Sequence, residues 1–417
     1  MVLLPDPDGA ENITTLLDIF FKVYTKIIIF IVYLQGTMKF KSYVIFFLLF
    51  GVSADLYLGI VMMAGMPLAW KLLAALPTLA ALVCLPLIAG AFKYTDSVRV
   101  FSYLTFFFEF PKFTAALFSV IGRYAMWLPN PLADTIAAAI GAGVALFFAT
   151  MIFYVTRNLK VSAADLSFGS LPKDFDGLRI CQLSDFHLGS FGRAGKYIRR
   201  IVETVKAASP DIILFTGDLV NFESSEADYY LHSLSNLAAP MGIFAVRGNH
   251  DYLLHGHHDG AERRSDMERL LELEKGLGWR VLLNENVLLG RGGSRIAIAG
   301  VENTSSNPYF LKMGGDLKKA LSGLPEGIFK ILLSHDPSHW RSEVLPCSDV
   351  QLTLSGHTHG LRYKMAGLHV SHWKLRESAG IYVQDGRVLH VSEGLGSAFA
   401  FRLGGFPKIN LITLHTK

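Results

Sequence analysis

Apolar and polar positions divide the chain into two unlike parts. Residues 43–156 are almost wholly apolar, whereas the chain after residue 160 mixes apolar and polar positions like an ordinary globular domain. A helix needs about 20 mostly apolar residues to cross the hydrocarbon core of a bilayer. The apolar part contains stretches of that kind at residues 43–65, 68–92, 101–122 and 135–156. We therefore predict an N-terminal α-helical transmembrane bundle of four helices over residues 41–158.

The first 40 residues belong to neither part. Asp18, Lys22 and Lys26 recur every four residues, so on a helix they would form one polar stripe beside apolar positions. This pattern favours a helix that lies in the membrane surface. The alternative is that residues 1–40 are a non-native segment and that the natural start is Met38.

Positive charges beside the predicted spans indicate their orientation. If four helices cross the membrane, both ends of the bundle face the same side. That side receives six basic residues and the other side two, namely Lys39, Lys41, Lys93, Arg99, Arg157 and Lys160 against Lys71 and Arg123. Because cytoplasmic flanks carry the excess of lysine and arginine, we predict a multi-pass membrane protein whose C-terminal part is cytoplasmic, with membrane lipids as its surroundings.

Three charged residues lie inside the predicted spans. Asp55 is near the middle of the first span, and Glu109 and Lys112 are about half-way along the third. A charge at that depth is costly unless it is paired, so we predict a contact between Asp55 and Lys112. A polar clasp between helices is the favoured interpretation, and a proton or substrate path in a transporter or sensor is the alternative.

The C-terminal part is predicted to alternate strands with helices. Short apolar runs such as residues 178–183 and 212–215 have the length of buried strands, and residues 194–208 carry apolar positions at helical spacing. We assign residues 159–176 to a linker and residues 177–417 to an α/β domain.

Five of the predicted strands end in residues that bind metals. The motifs are SDFHLG (184–189), GDLV (217–220), GNHD (248–251), SHD (334–336) and SGHTHG (355–360). In open α/β sheets the loops at the carboxyl ends of strands form the ligand cleft. The sequence therefore predicts one metal site, to which the GNHD motif contributes together with Asp185, His187, Asp218, His335, His357 and His359.

These residue types suit a pair of divalent cations. Two cations about 3.5–4 Å apart can clamp the attacking and leaving oxygens of a phosphoryl transfer, and they need a shared carboxylate. Asp218, which follows a glycine, is the best candidate for that bridge. Mixed nitrogen and oxygen ligands favour manganese, iron or zinc, with manganese our first choice. An imidazole outside the ligand set can stabilise the phosphoryl oxygens or protonate the leaving group.

The ordered set of five motifs resembles the calcineurin-like metallophosphoesterase superfamily. The resemblance covers residues from about 175 to 417 and implies a four-layer αββα sandwich of two mixed sheets. It implies that Asp185, His187, Asp218 and His359 hold one metal. It also implies that Asp218, Asn249, His335 and His357 hold the second. His250 would contact the substrate phosphate and assist the leaving group, and we assign a catalytic role to the neighbouring Asp251 as well.

Two segments also resemble a membrane-anchored bacterial branch of that superfamily. Residues 176–185 (DGLRICQLSD) and 392–414 are similar to those of enzymes that cleave UDP-2,3-diacylglucosamine. The likeness implies a bacterial inner membrane and a phosphodiester, pyrophosphate or monoester substrate that is lipid-linked. The chain departs from the branch at Gly360–Leu361, where two glycines and a glutamine are common, and this departure concerns the substrate pocket.

Overall composition adds two restrictions. Hydrophobic residues make up 51% of the chain, which is high for a soluble protein. The net charge is +4 without a basic stripe, so the sequence gives no support to nucleic acid binding.

Further histidines and arginines cluster outside the motifs. His255, His257 and His258 crowd one loop, for which we favour a solvated loop over a further metal or substrate contact. Arg263, Arg264 and Arg402 are candidates to bind a second phosphate or an acidic head group, and plain solvated charge is the alternative. Of the three we favour Arg402, because it follows the segment SEGLGS.

Overall fold

The structure is a computed structural model of the chain. It describes residues 51–90, 94–191, 195–256, 258–306, 313–359, 364–365, 368–369, 376–397, 402 and 405–417. The predicted surface helix over residues 1–40, the start of the first predicted span and Gly360–Leu361 lie outside these ranges.

The N-terminal part of the described chain is helical. Helix α1 is described over Gly51–Met62 and α2 spans Leu68–Gly90. Helix α3, Tyr94–Leu104, continues through a π-helical turn into α4, Phe110–Val120. Helix α5, Asn130–Ala149, follows a short turn and packs along α4.

Two of these helices are long and apolar enough to cross a membrane. They run over Arg99–Ala125 and Asn130–Arg157, as judged by length and composition. They correspond to the third and fourth predicted spans. In the described parts of the first two spans the apolar helices are shorter, at Gly51–Met62 and Leu68–Ala80.

The chain then enters a six-stranded mixed sheet with the strand order β1-β14-β2-β3-β4-β5. Its strands are β1 Lys160–Phe168, β2 Leu178–Leu183, β3 Ile212–Phe215, β4 Ile243–Ala245, β5 Trp279–Val281 and β14 Lys408–Thr416. Strands β2, β3, β4 and β5 are parallel, with Ile180 beside Ile212 and Ile213 beside Ile243.

The assignment of residues 159–176 to a linker was wrong for half of that segment. Lys160–Phe168 forms the edge strand β1, which pairs in parallel with β14 along its whole length. Only Leu166 and Phe168 of this strand are buried. Such an exposed edge strand lacks the apolar run that identifies buried strands.

A second six-stranded mixed sheet has the order β12-β13-β9-β8-β7-β6. Its strands are β6 Glu285–Arg291, β7 Ser294–Gly300, β8 Phe329–Leu333, β9 Leu352–Ser355, β12 Gly380–Gln384 and β13 Arg387–Val391. A separate two-stranded pair joins β10 Lys364–Met365 to β11 Leu368–His369.

Three apolar cores hold the sheets and helices in four layers. The first lies between the first sheet and helices α6, Lys196–Ala208, and α8, Gly260–Gly276. The second lies between the two sheets, where side chains such as Ile180 and Ile331 meet. The third packs the second sheet against short helices that include α9, Leu317–Ala320. Remaining short helices are α7, Leu231–Leu234, and α10, Leu345–Cys347. This arrangement is the predicted pair of mixed sheets flanked by helices.

Candidate metal centre

All seven predicted metal-binding residues lie just beyond the carboxyl ends of strands. Strand β2 leads to Asp185 and His187, and β3 leads to Asp218. Strand β4 leads to Asn249, β8 to His335, and β9 to His357 and His359. Because the strands within each sheet run parallel here and the sheets face each other, these loops meet at one end of the sandwich.

The loops bring together a first group made of Asp185, His187 and His359. One ligand atom from each lies within 4.8 Å of the others. The Nε2 atoms of His187 and His359 are 3.1 Å apart, and His359 Nε2 is 3.7 Å from Asp185 Oδ1. The carboxylate of Asp185 and the ring of His187 are fully buried.

A second group contains Asp218, His335 and His357, whose ligand atoms also lie within 4.8 Å of one another. Asp218 Oδ2 is 3.2 Å from His335 Nε2 and 3.4 Å from His187 Nε2. Asp218 therefore stands between the two groups, which is the position predicted for a bridging carboxylate. Asn249 lies beside it, since the next residue, His250, donates its backbone N–H to Asp218 Oδ1 at 2.9 Å.

The outer nitrogens of two imidazoles are held by groups that the motifs did not identify. His187 Nδ1 is 3.1 Å from Asn221 Oδ1, and His335 Nδ1 is 2.7 Å from the backbone oxygen of Thr216. Histidine ligands are usually oriented by such a bond, which leaves the other nitrogen for the metal. Here each Nε2 atom faces Asp218. A search for polar residues just after GDLV would have found Asn221.

Burial determines the charge states of several groups. It lowers the pKa of His187 to about 3 and raises the pKa of Asp185 to about 6. Burial also opposes the ionised form of Asp218, but the nearby His335, His250 and His187 hold its pKa well below the usual range. The ring of His187 is therefore neutral at neutral pH. Burial opposes a charge on His335 as well, but the nearby Asp218 carboxylate raises the pKa of that imidazole to about 10.

Five of the seven residues adopt left-handed backbone conformations. Positive φ angles of 48° to 71° occur at Asp185, His187, Asp218, His357 and His359. Such conformations are uncommon outside glycine and tend to cluster at functional sites. Two glycines allow the close approach. A Cβ at Gly248 would overlap the carboxylate of Asp218, and one at Gly356 would overlap Ser184 and Asp185.

His250 lies next to the predicted ligands, as expected. Its ring stands edge-on to that of His187, with centroids 4.8 Å apart, and its Nδ1 is 3.0 Å from the backbone oxygen of Asn221. With Nδ1 bound to that carbonyl, Nε2 is the nitrogen left to meet a substrate.

Asp251 was predicted to be catalytic, but in the structure it binds backbone N–H groups of the neighbouring loops. Its buried carboxylate accepts backbone N–H groups from Gly248, Asp218, Leu219 and Val220, at 2.8–3.3 Å. It fixes the loop that carries Asp218 and makes no contact with the His250 ring. A carboxylate surrounded by backbone donors in this way is a structural brace.

Arg402 also has partners other than the predicted phosphate. The side chain is 1% exposed, and its guanidinium donates to the backbone oxygens of Glu393, Gly396 and Gly405. The loop that it fastens lies against Asp185, because Gly396 N donates to Asp185 O at 2.6 Å. Arg402 thus stabilises the loop that contacts the backbone of Asp185, a predicted metal ligand.

The residues present fit divalent cations. Asn249 Oδ1 is buried without a hydrogen-bond partner among the described residues, and His335 Nε2 faces only the carboxylate of Asp218 there, at 3.2 Å. Among the described residues, no lysine or arginine forms an ion pair with Asp185 or Asp218. Buried carboxylates require a counter-charge, and the mixed oxygen and nitrogen set suits a transition metal. The fold and this site define a metal-dependent hydrolase.

Comparison with known proteins identifies the family of this site. Residues 178–361 match the model of the calcineurin-like phosphoesterase family. A relative called an uncharacterized metallophosphoesterase, from Aquifex aeolicus, is 29% identical over 266 residues, which are 63% of this chain and 94% of that protein. A Bos taurus protein called a transmembrane protein with metallophosphoesterase domain is 30% identical, over 61% of this chain and 57% of its own length. The chain thus spans little more than half of that relative.

A comparison with solved structures aligns this chain with a phosphopantetheinyl hydrolase from Mycobacterium tuberculosis at 14% sequence identity. The alignment covers 53% of this chain and 91% of that protein, with a TM-score of 0.33. The family match and the curated relatives decide the identification. The chain carries a calcineurin-like metallophosphoesterase domain, and it is a metal-dependent phosphoester hydrolase.

Proposed function

We propose that this protein is a membrane-anchored, dinuclear phosphoesterase that acts on a lipid-linked substrate. The bond cleaved is a phosphodiester, pyrophosphate or phosphomonoester. The catalytic domain lies on the cytoplasmic side of a bacterial inner membrane, and manganese is the expected metal, with iron or zinc as alternatives.

A contact between the apolar helices and the metal centre carries the proposal of a lipid substrate. Arg99, at the start of the first long apolar helix, is held by Asp96 at 2.7 Å. Its Nη1 donates to the backbone oxygen of Gly189 at 3.2 Å. Gly189 follows His187 by two residues in the chain. The site therefore lies close to the end of the helices, where a membrane-borne substrate has a high effective concentration.

A second contact joins the same two parts. The ring of Phe406 is edge-on to Tyr154, with centroids 6.0 Å apart, and Lys160 Nζ lies 5.2 Å from the centre of the Phe406 ring. Phe406 belongs to the segment that Arg402 fastens beneath Asp185. The names of the bovine and zebrafish relatives, which call them transmembrane proteins, also support membrane anchoring.

The side chains divide the chemistry between them. Asp185, His187 and His359 would hold one cation and Asn249, His335 and His357 the other, with Asp218 shared. The bound cations would supply Lewis acidity and an acidified water. His250, with Nδ1 fixed on Asn221 O, presents Nε2 to the phosphoryl oxygens. Asn221, Asp251 and Arg402 keep the loops in place.

The test uses the full chain in detergent micelles or nanodiscs, with and without Mn²⁺. Its substrates are a lipid-linked nucleotide diphosphate and the soluble bis(p-nitrophenyl) phosphate. We expect metal-dependent hydrolysis of both, with kcat/KM at least about 10-fold higher for the lipid substrate in nanodiscs. Equal values would overturn the lipid substrate, and metal-independent rates would overturn the mechanism. D218N is the inactive control.

A second function is favoured by one observation in the helices. Lys112 Nζ contacts Asp55 at 2.7 Å, Glu109 at 2.8 Å and Thr78 at 2.8 Å. In this alternative the helices form a transporter or sensor that the phosphoesterase regulates. Neutral substitutions at Asp55 and Glu109 that abolish function in cells while hydrolysis persists would support it.

A further inference from the structure

The loop after GNHD contains histidines that the structure separates into two kinds. His258 lies on the outside, where its Nδ1 is 3.4 Å from Glu262. His255 instead turns inward and is half-buried, with its ring 5.0 Å from that of His250. The prediction of a wholly solvated loop was therefore wrong for His255.

The backbone holds His255 in this position. Leu253 has a left-handed conformation, with φ at 55°, which reverses the chain after His250. Gly256 then packs so closely on the backbone of Phe222 that a Cβ would overlap its carbonyl oxygen. Phe222 follows Asn221, the residue that orients both His187 and His250. The loop that carries His255 therefore packs against the segment that orients His187 and His250.

His255 ends a row of imidazoles that begins in the metal centre. Ring centroids are 4.8 Å apart between His359 and His187, 4.8 Å between His187 and His250, and 5.0 Å between His250 and His255. In the described part of the chain no residue forms a hydrogen bond with the His255 ring. A substrate whose phosphate lies at the metal centre would extend past His250 and meet His255 next.

We propose that His255 is a further catalytic residue, which donates an N–H hydrogen bond to the leaving oxygen of the phosphoester. His250 then serves the phosphoryl oxygens. When water attacks, its oxygen forms a new bond to phosphorus and releases one proton to the solvent. The bond from phosphorus to the leaving oxygen breaks, and its electron pair stays on that oxygen. The N–H of His255 stabilises this charge until the oxygen takes a proton from the solvent. The inference rests on the proposed function.

A series of aryl phosphodiesters with leaving phenols of rising pKa tests the role. A hydrogen bond to a charged group contributes about 1.5–3 kcal/mol, which corresponds to a rate factor of roughly 10 to 150. We expect H255A to lose that factor in kcat for the poorest leaving group and less than about 3-fold for p-nitrophenol. H255N, which retains an N–H donor, should recover part of the loss.

H258A is the matched control, because it removes from the same loop an imidazole that lies beside Glu262. It should match the wild type throughout the series. Metal content and melting temperature of H255A should equal those of the wild type. An equal loss for all leaving groups, or no loss, would overturn the role of His255. A wild-type protein that binds metal but hydrolyses no member of the series would instead overturn the proposed function.

Discussion

The polar cluster in the helices and the candidate metal centre differ in the groups that face their carboxylates. In the helices, the carboxylates of Asp55 and Glu109 both contact Lys112, and Thr78 completes the group. At the ends of the strands, the carboxylates of Asp185 and Asp218 meet only imidazoles, hydroxyl groups and backbone N–H groups among the described residues.

The difference teaches how to separate a structural cluster from a binding site. Lys112 gives the helical cluster an internal cation, so its charged groups have partners within the chain, which is typical of a clasp between helices. The metal centre has several converging ligand atoms, and among the described residues no lysine or arginine forms an ion pair with its carboxylates. A bound cation would add the counter-charge that Lys112 supplies in the helices.

The largest effect is expected at Asp218, which joins the two ligand groups. D218N keeps the size of the side chain but removes the charge that two cations would share. Loss of an outer-shell partner already costs about 10- to 100-fold in metal affinity, so loss of this ligand should cost at least about 100-fold. Turnover should fall on the order of 10³-fold, as measured with bis(p-nitrophenyl) phosphate in excess Mn²⁺. Retention of half the activity would remove Asp218 from the bridging position.

A lysine substitution tests the other cluster. K112A leaves the buried Glu109 and the half-buried Asp55 without their counter-charge. Removal of one partner from a fully buried pair costs about 3–5 kcal/mol, which is the upper bound here. We expect a clear drop in melting temperature in detergent, with turnover per folded molecule unchanged. The control K71A removes a half-buried lysine that donates to the Ala64 carbonyl and forms no ion pair among the described residues, and it should melt like the wild type. Lost turnover at unchanged stability would favour the regulatory alternative.

The smallest predicted effect concerns a buried carboxyl next to the centre. Burial raises the pKa of Glu274 to about 8, with Asp251 adding to the rise. Between pH 5 and 7.5 the folded state therefore holds a proton that the unfolded state releases, so stability falls as pH rises. The slope is about 1.4 kcal/mol per pH unit.

Denaturant unfolding at several pH values checks this prediction. In E274Q the free energy of unfolding should no longer show the decrease with rising pH that Glu274 causes. E274Q should also be more stable than the wild type above pH 5. E272Q, which alters an exposed glutamate in the same helix, should retain the slope of the wild type. Parallel curves for E274Q and the wild type would contradict a raised pKa at Glu274.

Local sequence patterns were sufficient to predict several strands, the convergence of their end loops and one contact between helices. The apolar runs before Asp185, Asp218 and His335 identified strands, and strand ends converge, so local patterns predicted that these side chains lie close together. The contact between Asp55 and Lys112 was confirmed because a charge among apolar residues must find a partner.

Other features depend on tertiary contacts and escaped prediction. Strand β1 is defined by pairing with β14 across most of the chain. Asn221 holds a histidine 34 residues away in the chain, and Asp251 accepts a backbone N–H from a residue 32 positions away. Arg402 donates to backbone oxygens, which have no side-chain signature. No local pattern shows that a carboxylate will accept four N–H groups from its neighbours.

The most direct test of the central claim counts the metals and locates them. Wild-type protein and D218N would be purified with Mn²⁺, measured for metal content by mass spectrometry and crystallised for anomalous diffraction. We predict two ions per wild-type chain, about 3.5–4 Å apart on either side of Asp218, and fewer than one in D218N. A wild-type protein that hydrolyses phosphodiesters with no metal, or with ions remote from Asp218, would contradict the account.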